Sequence, residues 1–149
     1  MDHLSTVREL STELRGIFER ILADAIGTNQ TAGACLHAAI LLSTILTKFA
    51  NAPSHVCGGG PPLDGGLRDK EGVLRGHYWV EGRCPTGEPF VADITADQFG
   101  YAKVVVLDSA AAAELYYPGN PEIIAEHVAE ERASWPEDAQ AAGATEYPV

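Results

Sequence analysis

The chain has 149 residues, 46% of them hydrophobic, which suits one globular domain with its own core. Its net charge is −11, from 21 acidic against 10 basic residues, and no Lys/Arg cluster is present. Phosphate backbones and anionic membranes are therefore poor partners, and no run nears the roughly 18 consecutive apolar residues of a membrane span.

Leu4, Val7, Leu10, Leu14, Ile17, Phe18, Ile21, Leu22 and Ala25 recur at spacings of three and four. They predict an amphipathic helix over residues 4–26, stopped by Gly27, with Thr6–Glu9 as a capping box. Gly27 to Gly33 reads as a polar loop. A second helix is predicted from Cys35 to Phe49, apolar around most of its circumference, with a polar stripe near His37, Thr44 and Lys48. Ser54–Cys57 begins a first strand. Gly58–Gly72 is rich in glycine and reads as a long loop, either an idle connector or a mobile flap over a substrate. Strands are predicted over 74–81, 89–95 and 101–107. Asp108 or Ser109 caps a short Ala-rich helix, and Asn120-Pro121 opens another that runs to about Arg132. Consecutive strands flanked by helices give an α+β fold with an antiparallel sheet, as one domain over 1–133 and a loose tail over 134–149.

Three cysteines, Cys35, Cys57 and Cys84, form an odd set, and the N-terminal segment lacks a basic region followed by an apolar core. Free thiols and a cytoplasmic location are expected, although export without a signal would leave the same pattern.

The chemistry gathers in three segments: Gly33-Ala34-Cys35-Leu36-His37, His77-Tyr78-Trp79-Val80-Glu81 and Ala92-Asp93-Ile94-Thr95. Cys35 stands where a polar loop becomes a buried helix, so unpartnered helix amides can favour a thiolate and receive an oxyanion. An unpaired cysteine is otherwise a small buried hydrophobe. The turn formers Gly82, Pro85 and Gly87 predict a hairpin symmetric about Pro85, which sets His77 opposite Asp93. An aspartate in an apolar strand needs a partner, and His77 supplies one.

Together these segments resemble the transglutaminase-like superfamily of the papain-like fold, over roughly residues 30–107. That superfamily includes transglutaminases, peptidases, deamidases, arylamine N-acetyltransferases and leader peptidases that mature lasso peptides. The resemblance implies a catalytic cysteine heading a central helix packed on a small antiparallel sheet. Cys35 would be the nucleophile, His77 the base and Asp93 its orienter, with Asn29 or Gln30 as a second oxyanion donor. It also implies a protein or peptide substrate. Many relatives carry Asp-Pro-Thr where this chain has Asp93-Ile94-Thr95.

Around the triad, Trp79 is read as shielding the His–Asp pair or touching substrate, Glu81 as shaping the cleft or as a solvated strand-end charge, and Asp97 as backing Asp93 or as part of a turn. His55 and Cys57 with Cys84 hint at zinc, but paired C-x₂-C spacing is missing, so neither metal nor cofactor is expected. His3, His37 and His127 receive no role. The expected activity is amide hydrolysis through a thioester, of peptidase or glutamine deamidase type, because no motif for a second substrate is present. Acyl transfer to an amine uses the same triad, and a non-catalytic peptide-binding module of the same fold is the rival from another class. Oligomeric state is not legible here.

Overall fold

The computed structural model describes residues 3–26, 34–60 and 64–135, with side chains of 24–26 excepted. Helix α1 spans Ser5–Ile26 and α2 spans Cys35–Phe49. Strand β1 (Ser54–Gly59) is followed by the short β2 (Gly66–Arg68) and β3 (Leu74–Arg75), then β4 (His77–Arg83) and β5 (Pro89–Asp93). A 3₁₀ turn at Ala96–Phe99 leads to β6 (Val105–Asp108), α3 (Ser109–Ala112), β7 (Tyr116–Tyr117) and α4 (Pro121–Ala133). The fold is α+β with two small antiparallel sheets, ordered β1-β4-β5-β6 and β3-β2-β7. None of the described helices is long and apolar enough to cross a membrane.

The larger sheet separates two cores. On one face Val80, Phe90, Ala92 and Val106 meet Val7, Leu14 and Phe18 of α1 and Ala38, Leu42 and Leu46 of α2. On the other, Cys57, Trp79 and Val91 pack with Leu67 and Tyr116 of the small sheet. Strand alternation explains the division, because successive side chains of β4 and β5 point to opposite faces.

Several predicted boundaries move, each for a local reason. Helix α1 starts at Ser5, with the Arg8 N–H donating to the Leu4 carbonyl (2.9 Å), so the Thr6–Glu9 box lies inside the helix rather than capping it. Ile17, Ile21 and Phe49, expected in the core, are exposed, Phe49 by 64%. The 74–81 run divides at Gly76 and feeds both sheets. Gly76 is pressed against Gly60, where a Cβ would stand 2.7 Å from the Gly76 Cα. The strand expected from Tyr101 begins at Val105, because Ala96–Phe99 closes a 3₁₀ turn that ends on Gly100 with φ 92°.

The described part of the Gly58–Gly72 stretch, residues 58–60 and 64–72, is not a free flap. Residues 66–68 pair with both β3 and β7, and Leu67 is fully buried. Beyond them the Asp69 carboxylate accepts from the amides of Glu71 (3.0 Å) and Val73 (2.9 Å) and pairs with Arg75 (2.8 Å), fixing the turn. The tail expected from Ser134 begins ordered, with Trp135 stacked on His37 at 4.7 Å, and from 136 onward it lies outside the described residues.

Candidate active site

The hairpin joining β4 to β5 pairs Val80 with Ala92 and Arg83 with Pro89, a register centred on Thr86 rather than Pro85. The Cys84–Glu88 turn sets it: the Cys84 N–H donates to the Glu88 carbonyl (2.9 Å), the Gly87 N–H donates back to the Cys84 carbonyl (2.8 Å), and Gly87 takes φ 93°. Asp93 thus comes level with Trp79, not His77. The displacement is two residues, so facing is preserved and His77 reaches Asp93 on the diagonal. His77 Nε2 lies 2.7 Å from Asp93 Oδ2, with the residues 1% and 2% exposed.

Asp93 is held from both ends. The Tyr116 hydroxyl donates to Oδ2 (2.8 Å), and the Thr95 amide (2.9 Å) and hydroxyl (3.3 Å) donate to Oδ1. A buried carboxylate so supplied stays in one orientation and favours an N–H on Nε2 of the imidazole. Phe99 covers the ring edge-on at 4.9 Å, and Trp79 lies beside it at 6.2 Å. Burial alone would push the His77 pKa down. The charge and hydrogen bond of Asp93, with a further contribution from the neighbouring Cys35, overcome it and leave the imidazole pushed up to about 9.

Cys35 is the first residue of α2 and is half-buried; the helix packs on the face of the sheet opposite Trp79. The Ala34 carbonyl accepts from the Ala38 N–H (3.0 Å), so the amides of Cys35 and Leu36 precede the intrahelical ladder and are placed to donate outward. His77 opens β4, and there, at the strand's end, the imidazole lies close enough to the Cys35 thiol to feel it electrostatically. Among the described residues the buried His77 Nδ1 has no hydrogen-bond partner of standard geometry. It is the ring nitrogen left for Cys35 once Nε2 is committed to Asp93.

The other thiols sit differently. Cys84 donates to the Glu88 carbonyl inside the turn (3.1 Å). Cys57 lies 3.3 Å from His55 Nε2, and burial followed by the Glu81 carboxylate pushes its thiol pKa up, away from thiolate. The donor atoms of His55, Cys57 and Glu81 lie within 4.8 Å of one another, while Cys84 groups with His3 and Glu88 instead. The zinc grouping considered from sequence, His55 and Cys57 with Cys84, is thus split between two places.

Trp79 is 1% exposed and gives its indole N–H to Glu81 (3.1 Å), so it is a wall of the site rather than a substrate contact. This binds Glu81 to the wall as well. Asp97 does not back Asp93; it pairs with the buried Arg15 through two bonds of 2.8 and 2.9 Å. Asn29 and Gln30 lie outside the described residues.

Tyr116, Thr95, Tyr78 and His127 were not foreseen. The Tyr78 hydroxyl lies 2.6 Å from His127 Nδ1, and burial, then the charges of Cys35 and Glu130, push its pKa up. A cavity of about 210 Å³ opens beside His77, Tyr78 and His127. Tyr116 arrives from the small sheet, which no spacing in the sequence links to Asp93.

Comparison of the chain with protein-family models, with curated proteins and with solved structures finds no match.

Proposed function

We propose that the chain is a cysteine-dependent hydrolase of amide bonds, with Cys35 as nucleophile, His77 as base and Asp93 as orienter. The observation that carries this reading is the buried His77–Asp93 pair at 2.7 Å, with the second ring nitrogen left to a cysteine that heads a helix. A Cys-headed helix packed on an antiparallel sheet also supports the papain-like, transglutaminase-like fold that the motifs suggest.

In this mechanism the proton of Cys35 already rests on His77 Nδ1, so that thiolate and imidazolium stand as a pair, and the thiolate adds to the carbonyl carbon. The oxyanion is met by the amides of Cys35 and Leu36 at the start of α2. Collapse breaks the C–N bond, His77 returns its proton to the departing amine or ammonia, and a thioester remains on Cys35. Water, deprotonated by His77, then releases the acid and the thiol.

Alkylation with iodoacetamide across pH, read by mass spectrometry at each thiol, tests the nucleophile. At low pH Cys35 is expected to react faster than Cys57 and Cys84, both of which are buried. The His77→Ala variant should lose the low-pH reaction. Three thiols with one common profile would overturn the reading and favour a binding module.

A further inference from the structure

The cavity beside His77 lies between the end of β1, the start of β4 and α4. Ile123, Ile124 and the ring of Tyr78 give it apolar walls, and Gly59, Gly60 and Gly76 add no side chains to it. A Cβ on Gly58 would stand 2.7 Å from Tyr78 Cδ1 and 3.3 Å from Ile124 Cδ1.

One carboxylate lines this apolar space. Asp64, exposed at the mouth, accepts at Oδ1 from the Asn120 amide (3.3 Å) and at its carbonyl from the Gly60 amide (2.9 Å), so the residue is anchored. Among the described residues that line the cavity there is no Lys or Arg; His77 and His127 also line it, and the charge of His77 is balanced by Asp93 at 2.7 Å. The flanking helix adds Glu122, Glu126 and Glu130, all exposed, to a chain whose net charge is already −11. An acidic side chain entering here would be repelled, and a wholly apolar one would strip water from Asp64 without replacing it.

We propose that this cavity is the pocket for a basic side chain of the peptide substrate, with the aliphatic stem of Lys or Arg along Ile123, Ile124 and Tyr78 and its cationic head on Asp64. The pocket rests on Cys35 being the nucleophile, since its neighbour His77 then fixes where the scissile amide lies. Long basic side chains suit such a site because the stem is apolar and only the tip is charged.

The test uses peptide vinyl sulfones that alkylate the reactive cysteine and differ only in carrying Lys, Leu or Glu at either of the two residues before the warhead. At one of those positions the Lys probe should label Cys35 at least about tenfold faster than Leu, with Glu slowest, the size expected of one charge-assisted hydrogen bond. Asp64→Asn keeps an acceptor for Asn120 and should shrink the Lys-to-Leu ratio about tenfold, whereas Asp64→Lys should turn the preference toward Glu. Equal labelling by all probes, or a Lys preference that survives both substitutions, would overturn the pocket while leaving the nucleophile intact. Loss of the low-pH iodoacetamide reaction at Cys35 in the parent protein would instead remove the nucleophile, and the pocket with it.

Discussion

Three side chains converge on Asp93, and the charge it supplies is what keeps His77 protonated. The imidazole pKa is pushed up to about 9 against desolvation, so below that pH the ring is a cation able to pair with a thiolate and to protonate a leaving amine. Turnover is therefore expected to fall as pH rises through about 9, where the proton is lost. Asp93→Asn removes the charge but keeps the shape. The alkaline limb of kcat/KM should then move toward lower pH and the rate fall by up to about 10⁴, as found when a triad carboxylate is neutralised. A pH–rate profile of both proteins checks this, and an unmoved limb would mean that Asp93 does not set the His77 titration. The motif residues Cys35, His77 and Asp93 were legible because each sits at a helix start or on a strand face defined by its neighbours. Tyr116 and Thr95 were not, since hydrogen bonds to a carboxylate from another sheet or from the following turn leave no periodic trace.

The short strands β2, β3 and β7 matter more to the site than their length suggests. Leu67 on β2 is fully buried in the second core with Trp79 and Tyr116, and it is paired in the ladder with Tyr116 itself. Leu67→Ala is expected to cost about 2–5 kcal/mol through the cavity it leaves. Because Tyr116 donates to Asp93, activity should fall before the protein unfolds in urea, a separation that paired urea melts and rate measurements would detect. Coincident losses would show that the small sheet only holds the fold together. Glycine content made this segment look like a flap, but glycine here marks close approaches of one backbone to another, as at Gly60 beside Gly76. The long helices were readable from period alone, and α2 begins and ends where predicted. The hairpin register was not, because it depends on the Cys84–Glu88 turn, which composition does not specify. Arg15 was equally hidden. It reads as a surface charge in α1, yet it is buried and binds the Ile94 carbonyl (2.8 Å) and Asp97, tying the helix to the segment that follows Asp93.

Two contributions tie the stability of the folded chain to pH, and salt separates them. His77 has a folded pKa of about 9 against 6.5 for the free side chain, so between those values the native state holds more protons than the unfolded one. Its contribution is fully present below pH 6.5 and is lost as pH rises through 9; the shift corresponds to about 3 kcal/mol. The net charge of −11 acts in the same direction, since a protein already negative repels itself more as further groups deprotonate. Surface repulsion is screened within a Debye length, which falls from about 10 Å at 0.1 M salt to about 3 Å at 1 M, whereas the buried His77–Asp93 pair is screened far less. Thermal unfolding should accordingly occur at lower temperature at pH 9.5 than at pH 6.5, and 1 M salt should recover only part of the difference. In His77→Gln the salt-insensitive part should disappear. If salt erased the whole difference in the parent protein, surface charge alone would govern its alkaline stability, and the buried pair would contribute nothing to it.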